Sequence, residues 1–317
     1  MNATLRAIGS RLIYGVPVLI IVTAGAAALL DFMPGSPGLA ILGDSATPEQ
    51  VARINASLGY DLPFWERYFN WAGQALQGNF GNTLFTQEPV LEVLMRRLGV
   101  TAQLALMAML SSLIIAVPFA LLAALRAGGI LDRVLGVIAS ALLSLPSFVT
   151  VVLLSLIFVV AMPMFPATGW VPPTEDLGDN LRHAFLPVLA LAVHESAFFY
   201  RVVRTDLSGV LREDFVTVAR AKGLPKARIM FRHALRPSLT SLATVMGLSL
   251  GRMLGGAVIV EFFFSVPGIG AEAVTAVSVK DMPMIQAIMT LCVLVYVVIF
   301  IIVDLAYAWI DPRVSVR

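Results

Sequence analysis

Six bases, Arg220, Lys222, Lys226, Arg228, Arg232 and Arg236, lie between Phe215 and Pro237 with no acid among them. Glu195, Arg252 and Asp304 interrupt long apolar runs, where an ionisable group is costly and faces protein or water. Such groups can attract an anionic surface, pair with one another or hold a charged ligand. They do not make a catalytic set. No G-x-x-x-x-G-K-[ST] motif occurs, so the chain lacks a phosphate-cradling P-loop. After His194-Glu195, Phe198 stands where a zinc-protease helix needs its second histidine. His183, His194 and His233 have no metal-ligand spacing. No G-x-S-x-G nucleophile elbow is present, and Asp304 has no second aspartate in its run. The chain is therefore read as a non-enzyme with no metal site.

The elements that carry these residues follow from composition. Of 317 residues, 58% are hydrophobic and 13% charged, against a charged share of about a quarter in soluble domains. Mean hydropathy is +0.87. A soluble domain this apolar would expose large sticky patches, so an all-α polytopic membrane protein is expected. A net charge of +2 gives no basis for a nucleic-acid partner. The single cysteine, Cys292, excludes an internal disulfide and reads as a buried, inert thiol. Crossing a bilayer takes about 20 apolar residues. Six segments qualify, 10–31, 99–125, 133–161, 184–203, 237–260 and 284–308, so both termini share one side. The first is read as a retained span, since no small-residue cleavage site precedes Pro34-Gly35. Fifteen of the 22 bases fall at the termini and in the loops on their side, which marks that side as cytoplasmic. Arg96 and Arg97, at the outer end of the second span, are expected to snorkel to the headgroups.

The outer segment, 32–98, reads as structured. Thr47-Pro48-Glu49-Gln50 predicts a capped helix start, with a stop near Gly59. Pro63 predicts a second helix that ends near Gly78, with Trp65, Tyr68, Phe69, Ala72 and Leu76 on one face. That face either packs on neighbouring spans or forms an interfacial belt or partner platform. Asn55-Ala56-Ser57 matches a glycosylation sequon by chance. In the fifth span, Gly247, Gly251 and Gly255 recur every four residues, a spacing that admits close approach of another helix, in this chain or a partner. A smooth pathway wall is the alternative. Glu261 is expected to brace the turn from Phe264 to Gly270, and Asp304, near Asp311, to anchor the inner end of the last span.

The basic stretch has an internal order. Phe215, Val218 and Ala219 recur at i, i+3 and i+4, and the stem of Lys222 extends the row, which predicts a short helix with an apolar stripe. Asp214 is placed to cap it, Gly223 to close it in the left-handed conformation, and Pro225 to open a second helix that runs through Arg236 into the fifth span. A helix this short does not stand alone in water and needs a partner surface. Charge alone suits a loop that lies on anionic headgroups. The glycine–proline punctuation and the stripe suit a docking device.

"ARAKGLPKARIMFRHALRPSL" resembles the cytoplasmic EAA loop of ABC-importer permeases, in the form used by the dipeptide/oligopeptide/nickel permease family. "MPGSPG", "LGDSATPEQVARINASLGYDLPFWERYFNW", "QGNFGNT", "EFFFSVPGIG" and "VDLAYAWIDPRV" resemble that family's other segments in the same order, so the likeness covers nearly the whole chain. The chain is similar to the family's subunit with the long outer loop. Two departures stand out. Seven positions ending at Gly223 begin Thr217-Val218-Ala219, without the motif's glutamate, and the later proline falls one position late, at Pro237. The resemblance implies a type I ABC-importer permease fold with six transmembrane helices. It implies three regions: 1–31, the cytoplasmic N-terminus and first helix; 32–98, an extracytoplasmic helical loop; and 99–317, a five-helix core with a coupling loop at 204–236. It further implies a coupling helix in which Asp214, Phe215, Val218, Ala219, Arg220, Lys222 and Gly223 engage a separate ATPase. The implied partners are a second homologous permease, two ATP-binding subunits that use ATP and Mg, an extracytoplasmic substrate-binding protein and the lipid bilayer of a prokaryotic inner membrane. This chain itself would bind no cofactor. Glu195 and Arg252 would then pair with each other or meet a charged peptide terminus. The resemblance implies an ATP-driven importer of dipeptides or oligopeptides, with a nickel chelate, glutathione or a sugar as the alternative cargo; a passive channel or secondary transporter, the other class, would need an ionisable relay through several spans, and a scaffold has no use for a structured outer loop.

Overall fold

The computed structural model describes residues 3–31, 36–43 and 45–310. Among these the chain is helical, with one isolated bridge between Asn82 and Pro89. The helices in order are α1 (Ala3–Asp31), α2 (Pro37–Leu42), α3 (Pro48–Ser57), α4 (Phe64–Ala75), α5 (Val90–Leu125), α6 (Ile130–Ser144) and α7 (Ser147–Ser155). A π-helical turn, Leu156–Ala161, prolongs α7. Then come α8 (Leu177–Val210), α9 (Asp214–Ala221), α10 (Lys226–Arg228), a second π-helical turn (Ile229–Ala234), α11 (Leu235–Phe263), α12 (Ile269–Ser278) and α13 (Met282–Ile310).

Among the described residues, three helices are long and apolar enough to cross a membrane: Val90–Leu125, Leu177–Val210 and Met282–Val303. Two bent pairs, Ile130–Ser144 with Ser147–Ala161 and Ser241–Met253 with Gly255–Phe263, raise the number to five if each is one span. Six spans are expected from apolar length. In α1 the apolar stretch among the described residues is shorter, Gly15–Ala28. The expected third span is not one straight helix, because α6 and α7 meet at 103°. Leu145 is extended, φ −77° and ψ 129°, as a residue before proline prefers, and Pro146 then starts α7.

The chain divides into two compact units. One comprises Ala102–Val266 with the chain ends. Its central helix is α8, which packs against α6, α7 and α11. Within the α8 span 67% is buried, against 22% for the α13 span, so α8 is the interior helix. Helices α11 and α13 meet at Gly247, where an added Cβ would clash with the Val303 side chain. Of the glycine row, Gly247 is buried, Gly251 half-buried and Gly255 exposed, with nothing within 4 Å of a Cβ placed at Gly255. The row is therefore not one packing seam within this chain. Steps of four overshoot the 3.6-residue turn, and the bend near Gly255 carries the last member outward. Glu261 is fully buried, and its carbonyl accepts from Val266 N–H at 2.8 Å, which braces the following turn through the backbone.

The other unit comprises Ile8–Thr101 and Pro267–Val298. Helix α3 starts with the expected capping box, Thr47 with Gln50. The Asn55 side chain accepts from Gly38 N–H at 2.9 Å and ties α3 to α2, a use that fits a chance sequon. Helix α4 divides the predicted face. Tyr68 is buried and bonds Thr23 Oγ1 at 2.9 Å, with Phe64 and Trp71 beside it, whereas Trp65, Phe69 and Leu76 are exposed. Apolar residues occupy both faces of α4, so periodicity alone did not fix its phase. Val90, Leu94, Ile269, Met282 and Ile285 form the unit's apolar cluster, against which the half-buried Cys292 packs. Asp281 stitches it together: its carboxylate accepts from Leu84 N–H at 2.8 Å and Met284 N–H at 3.2 Å. Arg97 pairs with Glu272 at 3.0 Å, and Arg96 pairs with Glu88, so each base has an acid beside it. Helix α12 starts at the end of the expected turn and occupies the stretch before the last span, for which the sequence predicts no element. Asp311 lies outside the described residues, as does the side chain of Asp304.

Candidate functional site

The basic stretch folds as a short helix clamped at one face. Helix α8 runs to Val210, beyond the expected loop boundary at Arg204, and a turn through Leu211–Glu213 leads into α9. Asp214 is the first helical residue rather than the cap. Glu213 holds the cap position with extended backbone and no side-chain hydrogen bond. Asp214 in the first turn and Arg220 in the last both complement the helix dipole. Val216 and Ala219 are buried against Ile229, with Leu211 and Leu224 at the edge. Phe215 and Val218 are 46% and 53% exposed. The expected stripe is thus divided. Ala219 belongs to an inward row with Val216, which the sequence reading passed over, and Phe215 and Val218 form a separate outward pair. Lys222 is exposed, and Arg220 reaches back to Leu211 O at 3.5 Å.

Gly223 ends α9 at φ +78°, the left-handed conformation expected of it. Its N–H bonds Arg220 O at 2.9 Å, Leu224 N–H bonds Ala219 O at 3.2 Å, and Leu224 folds onto the inward row. Pro225 O then accepts from Ile229 N–H at 3.1 Å, and α10 continues through the π turn into α11 without a break. The helix, its stop and its restart form one compact corner.

A second feature lies close to this corner in sequence and was not anticipated. Arg204, near the end of α8, grips Asp132 of α6 with two bonds, Nε to Oδ1 at 3.0 Å and Nη2 to Oδ2 at 2.7 Å. Gly128 N–H donates to Asp132 Oδ2 at 2.9 Å, and Arg204 Nη1 donates to Ser208 Oγ at 2.9 Å. The partners are 72 positions apart, so no local pattern announced them.

The intramembrane pair differs. Arg252 Nη2 stands 3.4 Å from Glu195 Oε2 and donates to Ser249 Oγ at 2.7 Å. Its guanidinium lies over the Phe198 ring, 4.3 Å from the centroid. Glu195 is buried, while half of the Arg252 side chain is exposed. Both border a cavity of about 220 Å³ that Ser147, His194 and Gly256 also line. Glu195 and Arg252 are thus brought together, as one of the two sequence readings had them.

Comparison with known proteins covers both ends of the chain. The family described as "Binding-protein-dependent transport system inner membrane component" matches residues 116–316, and its N-terminal counterpart matches residues 4–105. A probable peptide ABC transporter permease protein of Sinorhizobium fredii is 37% identical over 96% of this chain and 97% of its own length. A dipeptide transport system permease protein of Lactococcus lactis subsp. cremoris is 32% identical over 90% of this chain and 91% of its own. Among solved structures, the MetNI methionine ABC transporter in an inward-facing conformation aligns with a TM-score of 0.56 at 16% identity, over 69% of this chain and 96% of that chain, which shows a shared fold. With matches that span nearly its full length, the chain belongs to the family of binding-protein-dependent transport system inner membrane components, the multi-pass permeases of ABC importers.

Proposed function

We propose that this chain forms one half of the translocation pathway of an ATP-driven importer of short peptides and that α9 is the helix through which a separate ATPase drives it. The observation that carries the coupling role is the division of α9 into two faces. Val216 and Ala219 fasten it to the chain, and Phe215 and Val218 stand exposed beside Arg220 and Lys222. Exposed apolar residues on a short, fastened helix suit a protein partner, and the neighbouring bases add electrostatic attraction. The peptide substrate is carried over from the names of the relatives. In this reading a second permease completes the pathway, two ATP-binding subunits dock from the cytoplasm, and a binding protein delivers substrate from the other side. The excess of bases supports a cytoplasmic location for both termini and α9 in a prokaryotic inner membrane.

The test is uptake and ATP hydrolysis by the assembled complex in proteoliposomes. Val218→Asp or Arg220→Glu should abolish ATP-dependent uptake while the chain itself remains folded. Gly223→Pro should do the same, because it removes the left-handed stop. Val216→Asp should instead destabilise the chain, because it places a charge in the inward row. Uptake that continues without ATP, or that survives Val218→Asp and Arg220→Glu unchanged, would sink the coupling role.

A further inference from the structure

The cavity beside the α6–α7 break holds two charged groups whose hydrogen-bonding capacity the fold leaves partly unused. Glu195 is buried, and its carboxylate meets a single protein donor, Arg252 Nη2 at 3.4 Å. Its Oε1 has no protein donor among the described residues. Arg252 directs Nη2 to both Glu195 and Ser249 and lays its face on Phe198, while Nε and Nη1 have no protein acceptor among the described residues. His194 Nδ1 is buried without a partner and belongs to the same cavity lining.

Elementary energetics makes this arrangement informative. A buried carboxylate is tolerated when it is paired and hydrogen-bonded, and one long contact meets that need poorly. A guanidinium within membrane-spanning helices normally faces water, a partner charge or a ligand. Here the two opposite charges leave free capacity toward one cavity. A molecule that brings a carboxylate to the open edge of Arg252 and an ammonium to Glu195 Oε1 satisfies both at once. A purely anionic or purely cationic solute satisfies one and leaves the other uncompensated. Stacking on Phe198 and the bond to Ser249 hold the guanidinium plane in place while the ligand exchanges for the long contact.

From this geometry we infer that the cavity recognises the two free termini of a short zwitterionic peptide, with Arg252 taking the C-terminal carboxylate and Glu195 the N-terminal ammonium. This inference rests on the peptide reading above and adds to it a site within the membrane-embedded chain.

The experiment measures uptake by the complete transporter in proteoliposomes, with dialanine, its C-terminal amide and its N-acetyl form as probes. The wild-type complex should prefer dialanine to either blocked form by about tenfold, the value of a charge-assisted hydrogen bond. Arg252→Gln should erase the preference against the amide and keep that against the N-acetyl form. Glu195→Gln should do the reverse. Arg252→Lys, which keeps the charge, should restore part of the preference lost in Arg252→Gln. Structural damage would lower uptake of all three probes together, so the crossed pattern separates recognition from folding. Unchanged ratios in both variants, or both ratios lost in each, would overturn this inference and leave the peptide reading standing. No uptake of any peptide by the wild-type complex would overturn the peptide reading and this inference with it.

Discussion

Helix α8 carries one member of each of two arginine–carboxylate pairs, and the two are built on opposite plans. At its far end Arg204 meets Asp132 through two short parallel bonds, and a backbone N–H and a serine hydroxyl complete the set. Midway along, Glu195 meets Arg252 through one contact at 3.4 Å, with an open cavity alongside. A fork matched to a carboxylate fixes geometry and leaves little to offer a ligand. A loose pair fixes little and keeps its capacity for something else. The contrast separates a fastening that holds α6 to α8 from a site free to change partners.

The sharpest way to break the contrast is Asp132→Ala. It leaves Arg204 without its acid and should cost about 2–3 kcal/mol, below the full penalty of a buried broken pair because the Arg204 side chain is 30% exposed. The thermal unfolding midpoint of the detergent-solubilised chain reads this loss, and an unchanged midpoint would remove the fastening role. Next comes Arg204→Lys, which keeps the charge but not the fork and should cost about 1–2 kcal/mol. The matching Arg252→Lys should cost less than about 0.5 kcal/mol, since no fork exists there to lose. Equal losses for the two lysine variants would erase the distinction. Glu195→Gln should shift stability by under about 1 kcal/mol in either direction, because it trades a poorly compensated buried charge for a neutral amide. Smallest is Ser249→Ala, at about 0.5 kcal/mol, with the ring of Phe198 still under the guanidinium.

Sequence legibility followed the range of the interaction. Local signals served well: the capping box at Thr47, the left-handed stop at Gly223 and the restart after Pro225 are all where the residues placed them. Among the described residues apolar length located three spanning helices and two bent pairs, but not a sixth span and not their shape. It treated 133–161 as one rod, although Pro146 stood in the middle as a visible break. The two faces of α4 and of α9 are hard to tell apart in sequence for a common reason. In a protein with lipid or partners outside it, apolar residues line outward faces too, so Phe69 and Val218 carry the same signature as Tyr68 and Val216. The Glu195–Arg252 pair was noticed because each charge is conspicuous in its apolar run. Asp132 and Arg204 sit near the ends of theirs, and there a charge looks ordinary.

The π-helical turn Ile229–Ala234 has a consequence for how this corner tolerates change. It inserts one residue more per turn than the helices on either side, so α10 and α11 are written in different phases of the same rod. Removing one residue there would let the segment relax into an ordinary α-helix and leave the facing of both α10 and α11 nearly unchanged. The same deletion within α11 would swing every side chain beyond it by about a quarter turn and draw Gly247 away from Val303. The turn is thus a point where the chain can lose a residue while α9 and the helix that bears Arg252 both keep their facing.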